Sequence, residues 1–225
     1  MAGRPGVPRV KRFAIDDVLT KAIGRFSNHG YHATSIGDLV VCMGIGRGSI
    51  YDTFGSKRGL FVRALRSYIE SYDRSLQEIL NQSLAPDGAI IGVFKEAAAN
   101  GCFIVNAGVE LATHDAEITR IVSGFYRTAE HRFRVLIEQG QRAGEITASV
   151  DPRQTAHGLF VLLLCLWVLV RSGASGEPVL RAAAQQVLAL VPAHQPDCLE
   201  QKGAKMPVSA NPPMAAADRS TNSRD

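Results

Sequence analysis

The chain has 225 residues, 46% of them apolar and only 7% aromatic, so it can bury a substantial core, and its Ala- and Leu-led apolar set favours helices over sheets. Its net charge of +4 is uneven: residues 1–60 hold 9 Lys/Arg against 4 Asp/Glu, while the remainder holds 16 against 17, so one end is suited to a polyanion. Cys42, Cys102, Cys165 and Cys198 form no CxxC pair, which argues against a metal site or a disulfide framework and for a reducing cytosol; no N-terminal apolar stretch reads as a signal peptide, and the longest apolar run, Leu159–Val170, is too short to span a bilayer and reads as a buried helix.

Residues 1–12, with Arg4, Arg9, Lys11 and Arg12 among prolines, are expected to form a disordered basic arm. Helix 1 carries Ile15, Val18, Leu19, Ala22, Ile23 and Phe26 at spacings of three and four and stops at Asn28-His29-Gly30. Thr34 or Ser35 caps helix 2, which runs to about Cys42. Gly44 breaks the chain before helix 3, over about 46–53. Ser56 caps a long helix 4 with the stripe Leu60, Phe61, Ala64, Leu65, Tyr68, Ile69, Tyr72, Leu76 and Ile79. A fifth helix is expected over 87–100 and a short sixth over 102–112. Asp115 caps the seventh, which runs to Gly144. Asp151-Pro152 starts an eighth, a capping carboxylate followed by proline at the first helical position. A ninth spans about 177–191, and residues 193–225 read as a disordered tail.

Helices 2 and 3 with the turn at Gly44 make a helix-turn-helix, whose second helix can enter a DNA major groove. Gly46 and Gly48 remove side-chain bulk where a backbone would approach DNA. Arg47 can donate to guanine or to phosphate, and Ser49 and Thr53 can contact bases or backbone. Tyr51 and Lys57 have the reach and the donors for phosphates, and Thr34 or Ser35 adds a hydroxyl at a positive helix end. Asp52 either accepts from a cytosine amino group or points away from the repelling phosphates.

Residues 13–61 resemble the DNA-binding domain of the TetR/AcrR family of transcription regulators. The matching residues are Ala22, Phe26, Gly30-Tyr31, Thr34-Ser35, Asp38-Leu39, Gly44-Ile45, Arg47-Gly48, Ile50-Tyr51, Phe54, Ser56-Lys57 and Leu60-Phe61. The resemblance implies an all-α homodimer: a basic arm (1–12), a three-helix DNA-binding domain (13–60), a helical ligand-sensing and dimerisation domain (61–192) and a tail (193–225). It gives Tyr51 and Lys57 phosphate-contact roles and puts Arg47, Ser49, Asp52 and Thr53 on the base-facing surface. The chain departs from the family at Val40 and Met43, where alanine is usual, and at Asp52-Thr53, which suggests a distinct operator. Gly3-Arg4-Pro5 is part of a minor-groove hook that lacks its preceding basic residue.

Residues 101–112 resemble a stretch found in a subset of the family. An effector pocket needs an apolar lining with a few polar anchors, and the candidates are Phe94, Cys102, Phe103, Asn106, Glu110, Phe125, Tyr126 and Trp167. Cys102, beside Gly101 at a helix start, could instead be a reactive thiol with its pKa lowered by the helix dipole. Helix 8 is apolar nearly all round, so a second subunit is expected to cover one face, with helix 9 completing a four-helix interface.

The function expected is therefore a cytoplasmic, nucleoid-associated bacterial regulator. It binds a palindromic operator in double-stranded DNA as a homodimer, acts as a repressor and is released by a small-molecule effector. A thiol-sensing regulator acting through Cys102 and a transcriptional activator are the alternatives. No cofactor or metal is expected. An enzyme built on Cys102, His114 and Glu110 has no nucleophile elbow, phosphate loop or metal spacing behind it, and a non-specific architectural DNA binder would need no effector.

Overall fold

The computed structural model describes residues 14–82, 85–100 and 102–191, with no account of the side chain at position 100. The basic arm, Gly3-Arg4-Pro5, Gly101, Cys198 and the 193–225 tail lie outside the described residues. The described residues form nine helices and no strand: α1 (Ile15–His29), α2 (Ile36–Met43), α3 (Arg47–Phe54), α4 (Lys57–Gln82), α5 (Pro86–Asn100), α6 (Phe103–Leu111), α7 (Ala116–Ala143), α8 (Pro152–Arg171) and α9 (Glu177–Leu188).

The helix ends follow from local chemistry. Asp16 and Asp17 place negative charge on the positive end of α1, and Gly30 leaves it at φ 81°. Ser35, not Thr34, caps α2: its Oγ accepts from the Asp38 N–H at 3.1 Å, and its own N–H donates to Asp38 Oδ2 at 2.8 Å. Gly44 sits in the left-handed region at φ 71°, ψ 26°, which turns the chain from α2 toward α3. Asp115 caps α7 by accepting from the N–H groups of Glu117 and Ile118, and Asp151 caps α8 from Arg153 and Gln154, with Pro152 leading the helix. The ninth helix ends at Leu188, short of Val191, because the chain tightens there: the Leu190 and Val191 N–H groups bond back to Val187 and Leu188, and the Leu190 carbonyl accepts from Thr147.

One hydrophobic cluster runs from α1 to α9. At its N-terminal end, Phe61 of α4 meets Phe26 of α1 edge-on at 4.9 Å and Phe103 of α6 at 5.3 Å. The first four helices therefore share a core with the rest of the chain. Helix α8 is 20 residues long, and by length and composition alone it could cross a membrane. It buries Leu159, Phe160, Leu163, Leu166 and Trp167 within the protein but leaves Val161, Cys165 and Val168 exposed on one stripe, with Leu188 exposed on α9.

Candidate nucleic-acid interface

Helix α3 divides cleanly into two faces. Ile50 and Phe54 point into the core, joined by Leu39, Met43 and Ile45 from α2 and the turn. Gly46, Arg47, Gly48, Tyr51 and Asp52 lie exposed on the other side, and Ser49 is half-buried at the edge. A Cβ added to Gly46 or Gly48 would meet nothing within 4 Å, so this face is open to a bulky partner. Among the described residues, no hydrogen bond or ion pair ties down Arg47, Tyr51 or Asp52. A cation, a phenol and small residues are thus presented on a convex helix whose donors are unspent.

Two expected contact residues are placed differently. Thr34 has no exposed surface, and its hydroxyl donates to the Gly30 carbonyl at 2.7 Å, closing the turn after α1. The Thr53 hydroxyl oxygen is buried, because the helix rotation that exposes Tyr51 and Asp52 turns position 53 toward the protein. Lys57 is half-buried, with its ammonium 4.3 Å from the centroid of the Tyr31 ring, and desolvation lowers its pKa. Ser35 is exposed at the α2 N-terminus, but its side chain is already engaged with Asp38.

Residues with no motif signal hold this head in place. Gly59 is required where α4 leaves the α3 corner, since a Cβ there would lie 2.0 Å from the Phe54 carbonyl oxygen. Arg58, on the first turn of α4, reaches Asp115 through Nε at 2.6 Å and Glu117 at 2.9 Å, and Arg66 joins Glu117 at 3.3 Å. The Arg58 hydrogen bond, helped by the capping N–H groups, holds the Asp115 carboxyl down to about 2. The carbonyls at the C-terminal end of α1 are taken by the other half of the chain: Asn106 Nδ2 donates to the Ser27 oxygen at 3.4 Å, and Arg171 donates to the Asn28 oxygen at 3.3 Å.

The expected effector residues do not form one site. Phe103 belongs to the aromatic junction with Phe26 and Phe61. Asn106 and Glu110 face the α1–α2 loop, where Glu110 accepts from the backbone N–H groups of Tyr31 and His32. Phe125, Tyr126 and Trp167 do meet, with Tyr72, in an aromatic cluster in which the Trp167 indole Nε1 is buried without an acceptor among the described residues. The crevice between α4, α5, α7 and α8, whose cavity of about 10 Å³ has room for about one water molecule, is lined instead by Tyr72, Leu76, Val93, Arg132, Phe133 and Leu163 among others. Phe94 stands behind it, against Phe133. Cys102 is buried at the start of α6, where burial outweighs the α6 N–H groups and pushes its pKa up to about 11, opposite to the lowering expected at a helix end.

The model for bacterial regulatory proteins, tetR family, matches residues 18–64, and that for the tetracyclin repressor-like C-terminal domain matches residues 87–191. The chain is 34% identical over 146 residues to an uncharacterised HTH-type transcriptional regulator, YezE of Bacillus subtilis, covering 61% of this chain and 75% of that one. The chain belongs to the tetR family. It is 30% identical to the HTH-type transcriptional repressor ComR of Escherichia coli, over 78% of this chain and 88% of the repressor. Among solved structures, the TetR family regulator CifR in complex with 26-base-pair operator DNA superposes with a TM-score of 0.71 at 25% identity, covering 83% of this chain and all of the other. A tetR-family chain with this helix-turn-helix is a DNA-binding transcriptional regulator.

Proposed function

We propose that the chain is an operator-binding repressor that works as a homodimer and is released by a small molecule. The observation that carries this reading is the bare outer face of α3, where Arg47, Tyr51 and Asp52 stand exposed with no described partner beside the open backbone of Gly46 and Gly48. Arg47 supplies base or phosphate contact, Ser49 and Asp52 flank it at the bases, Tyr51 and Lys57 contact phosphates, and the α2 N-terminus at Ser35 favours an adjoining phosphate. The repressor sense is supported by relatives named as repressors, and the operator by the CifR complex.

Dimerisation is supported by the exposed apolar stripe Val161, Cys165 and Val168 on α8 with Leu188 on α9, which a second copy would cover about a two-fold axis. The effector is assigned to the half that starts at the C-terminal part of α4, where the closed crevice between α4, α5, α7 and α8 and the adjoining Tyr72–Phe125–Trp167 cluster would have to open to admit it. The lining is apolar except for Tyr72 and for Arg132, which pairs with Asp73 at 2.8 Å, so the opened crevice would suit a mainly apolar molecule. Widening that cleft would push on α4, and coupling of this kind is typically worth about 1–3 kcal/mol.

Footprinting of the purified protein on the DNA flanking its own gene tests the reading. A protected palindrome, lost with Arg47→Ala, is the expected result. Protein that protects no sequence better than random DNA would rule it out.

A further inference from the structure

The α1–α2 loop has an anchor that DNA contact alone does not explain. Glu110, on α6 and 79 positions further along the chain, accepts the Tyr31 N–H with Oε2 and the His32 N–H with Oε1, both at 2.7 Å. A single carboxylate thus takes two consecutive backbone donors in charge-assisted bonds. Gly30 makes room for it, because a Cβ there would lie 2.9 Å from Glu110 Oε2. Tyr31, fixed in this way, sets its ring edge-on to Phe61 at 5.0 Å and beneath the Lys57 ammonium at 4.3 Å. Lys57 is the first residue of α4, directly after the recognition helix and its closing turn.

We propose that Glu110 is a positioning residue for DNA binding: by clamping the Tyr31 and His32 backbone it fixes the aromatic seat of Lys57, and so sets the phosphate contact that Lys57 makes. A free lysine side chain gives up considerable rotamer freedom when it settles on a phosphate, and a seat built before binding removes part of that loss. The device also gives α6 a direct line to one DNA contact. A movement of α6 that draws Glu110 off the two N–H groups loosens Tyr31, and Lys57 loses its seat while α3 stays intact. This inference rests on Lys57 being a phosphate contact.

The test is the salt dependence of operator affinity, measured by fluorescence anisotropy on the full-length protein and on Glu110→Ala, Glu110→Gln, Lys57→Ala and the Glu110→Ala/Lys57→Ala double variant. Thermal melts and sedimentation check that each variant is folded and keeps the wild-type assembly. Lys57→Ala is expected to lower the slope of log K against log salt by about 1 for each half-site. Glu110→Ala is expected to weaken binding about ten-fold and to lower the slope in the same way, with the double variant no worse than Lys57→Ala alone. Glu110→Gln, which keeps one acceptor oxygen, should fall between and stays informative if Glu110→Ala does not fold. A folded Glu110 variant with the wild-type slope, or losses that add in the double variant, would overturn the proposal while leaving Lys57 as a phosphate contact. An unchanged slope in Lys57→Ala would overturn the phosphate reading itself, and the proposal with it.

Discussion

The outer face of α3 and the loop between α1 and α2 are neighbours in one small head, yet they treat polar groups in opposite ways. On α3, Arg47, Tyr51 and Asp52 stand in solvent with no described partner. Around the loop, the Ser27 and Asn28 carbonyls are taken by Asn106 and Arg171, the Gly30 carbonyl by Thr34, the Tyr31 and His32 N–H groups by Glu110, and the Ser35 N–H by Asp38. A loop whose backbone groups are paired within the chain is held in one conformation, whereas a surface whose donors remain unspent can give them to another molecule. The difference separates the part of the head that holds its position from the part that acts.

Both regions rest on one core, and its loss should have the largest effect. Phe61→Ala removes a ring that is packed edge-on against Phe26, Tyr31 and Phe103, and should cost about 3–5 kcal/mol in chemical denaturation. The loss should appear as one transition affecting the whole helical set; separate melting of the first four helices would show the core to be divided. Arg47→Ala should leave the melting temperature unchanged and cost about 1–3 kcal/mol of operator binding, since it touches only the acting face.

Gly30→Ala sharpens the contrast from the other side. It forces a Cβ onto φ 81° and against Glu110, and should destabilise the fold by about 1–2 kcal/mol with α3 untouched, measured as a shift in denaturation midpoint. The smallest effect should come from Asp115→Asn at the α4–α7 staple. The Asp115 carboxyl is held at about 2, below its ordinary value of 3.8, so its contribution is fully present above about pH 4 and is lost as the pH falls toward 2. Wild type and Asp115→Asn should therefore differ in stability at neutral pH and converge near pH 2, as a denaturant series across that range would record.

The head was legible in the sequence because its signals are local. The 3–4 spacing of Val18, Leu19, Ala22 and Phe26, the glycines at 30 and 44, and a capping hydroxyl before Asp38 fix α1, α2 and the turn within a residue or two. Asp115 and Asp151-Pro152 marked the starts of α7 and α8 for the same reason. The partners across the chain were not legible. Arg171 meets Asn28 from 143 residues away and Glu110 meets Tyr31 from 79, and no periodicity announces a contact of that range. Glu110 and Asn106 therefore looked like anchors for an effector, whereas in the fold Glu110 holds the α1–α2 loop and Asn106 the end of α1. Cys102 misled similarly: a helix start suggests an activated thiol, but only the fold shows that burial exceeds the pull of the N–H groups.

The most direct measurement is selection of bound fragments from random double-stranded DNA by the wild-type protein and by Arg47→Ala in parallel. The expected result is a palindrome enriched by the wild type, with half-sites about one helical turn or a multiple apart, and its disappearance with Arg47→Ala. Enrichment of the same sequence by both proteins would contradict the assignment of the exposed α3 face as the reading surface.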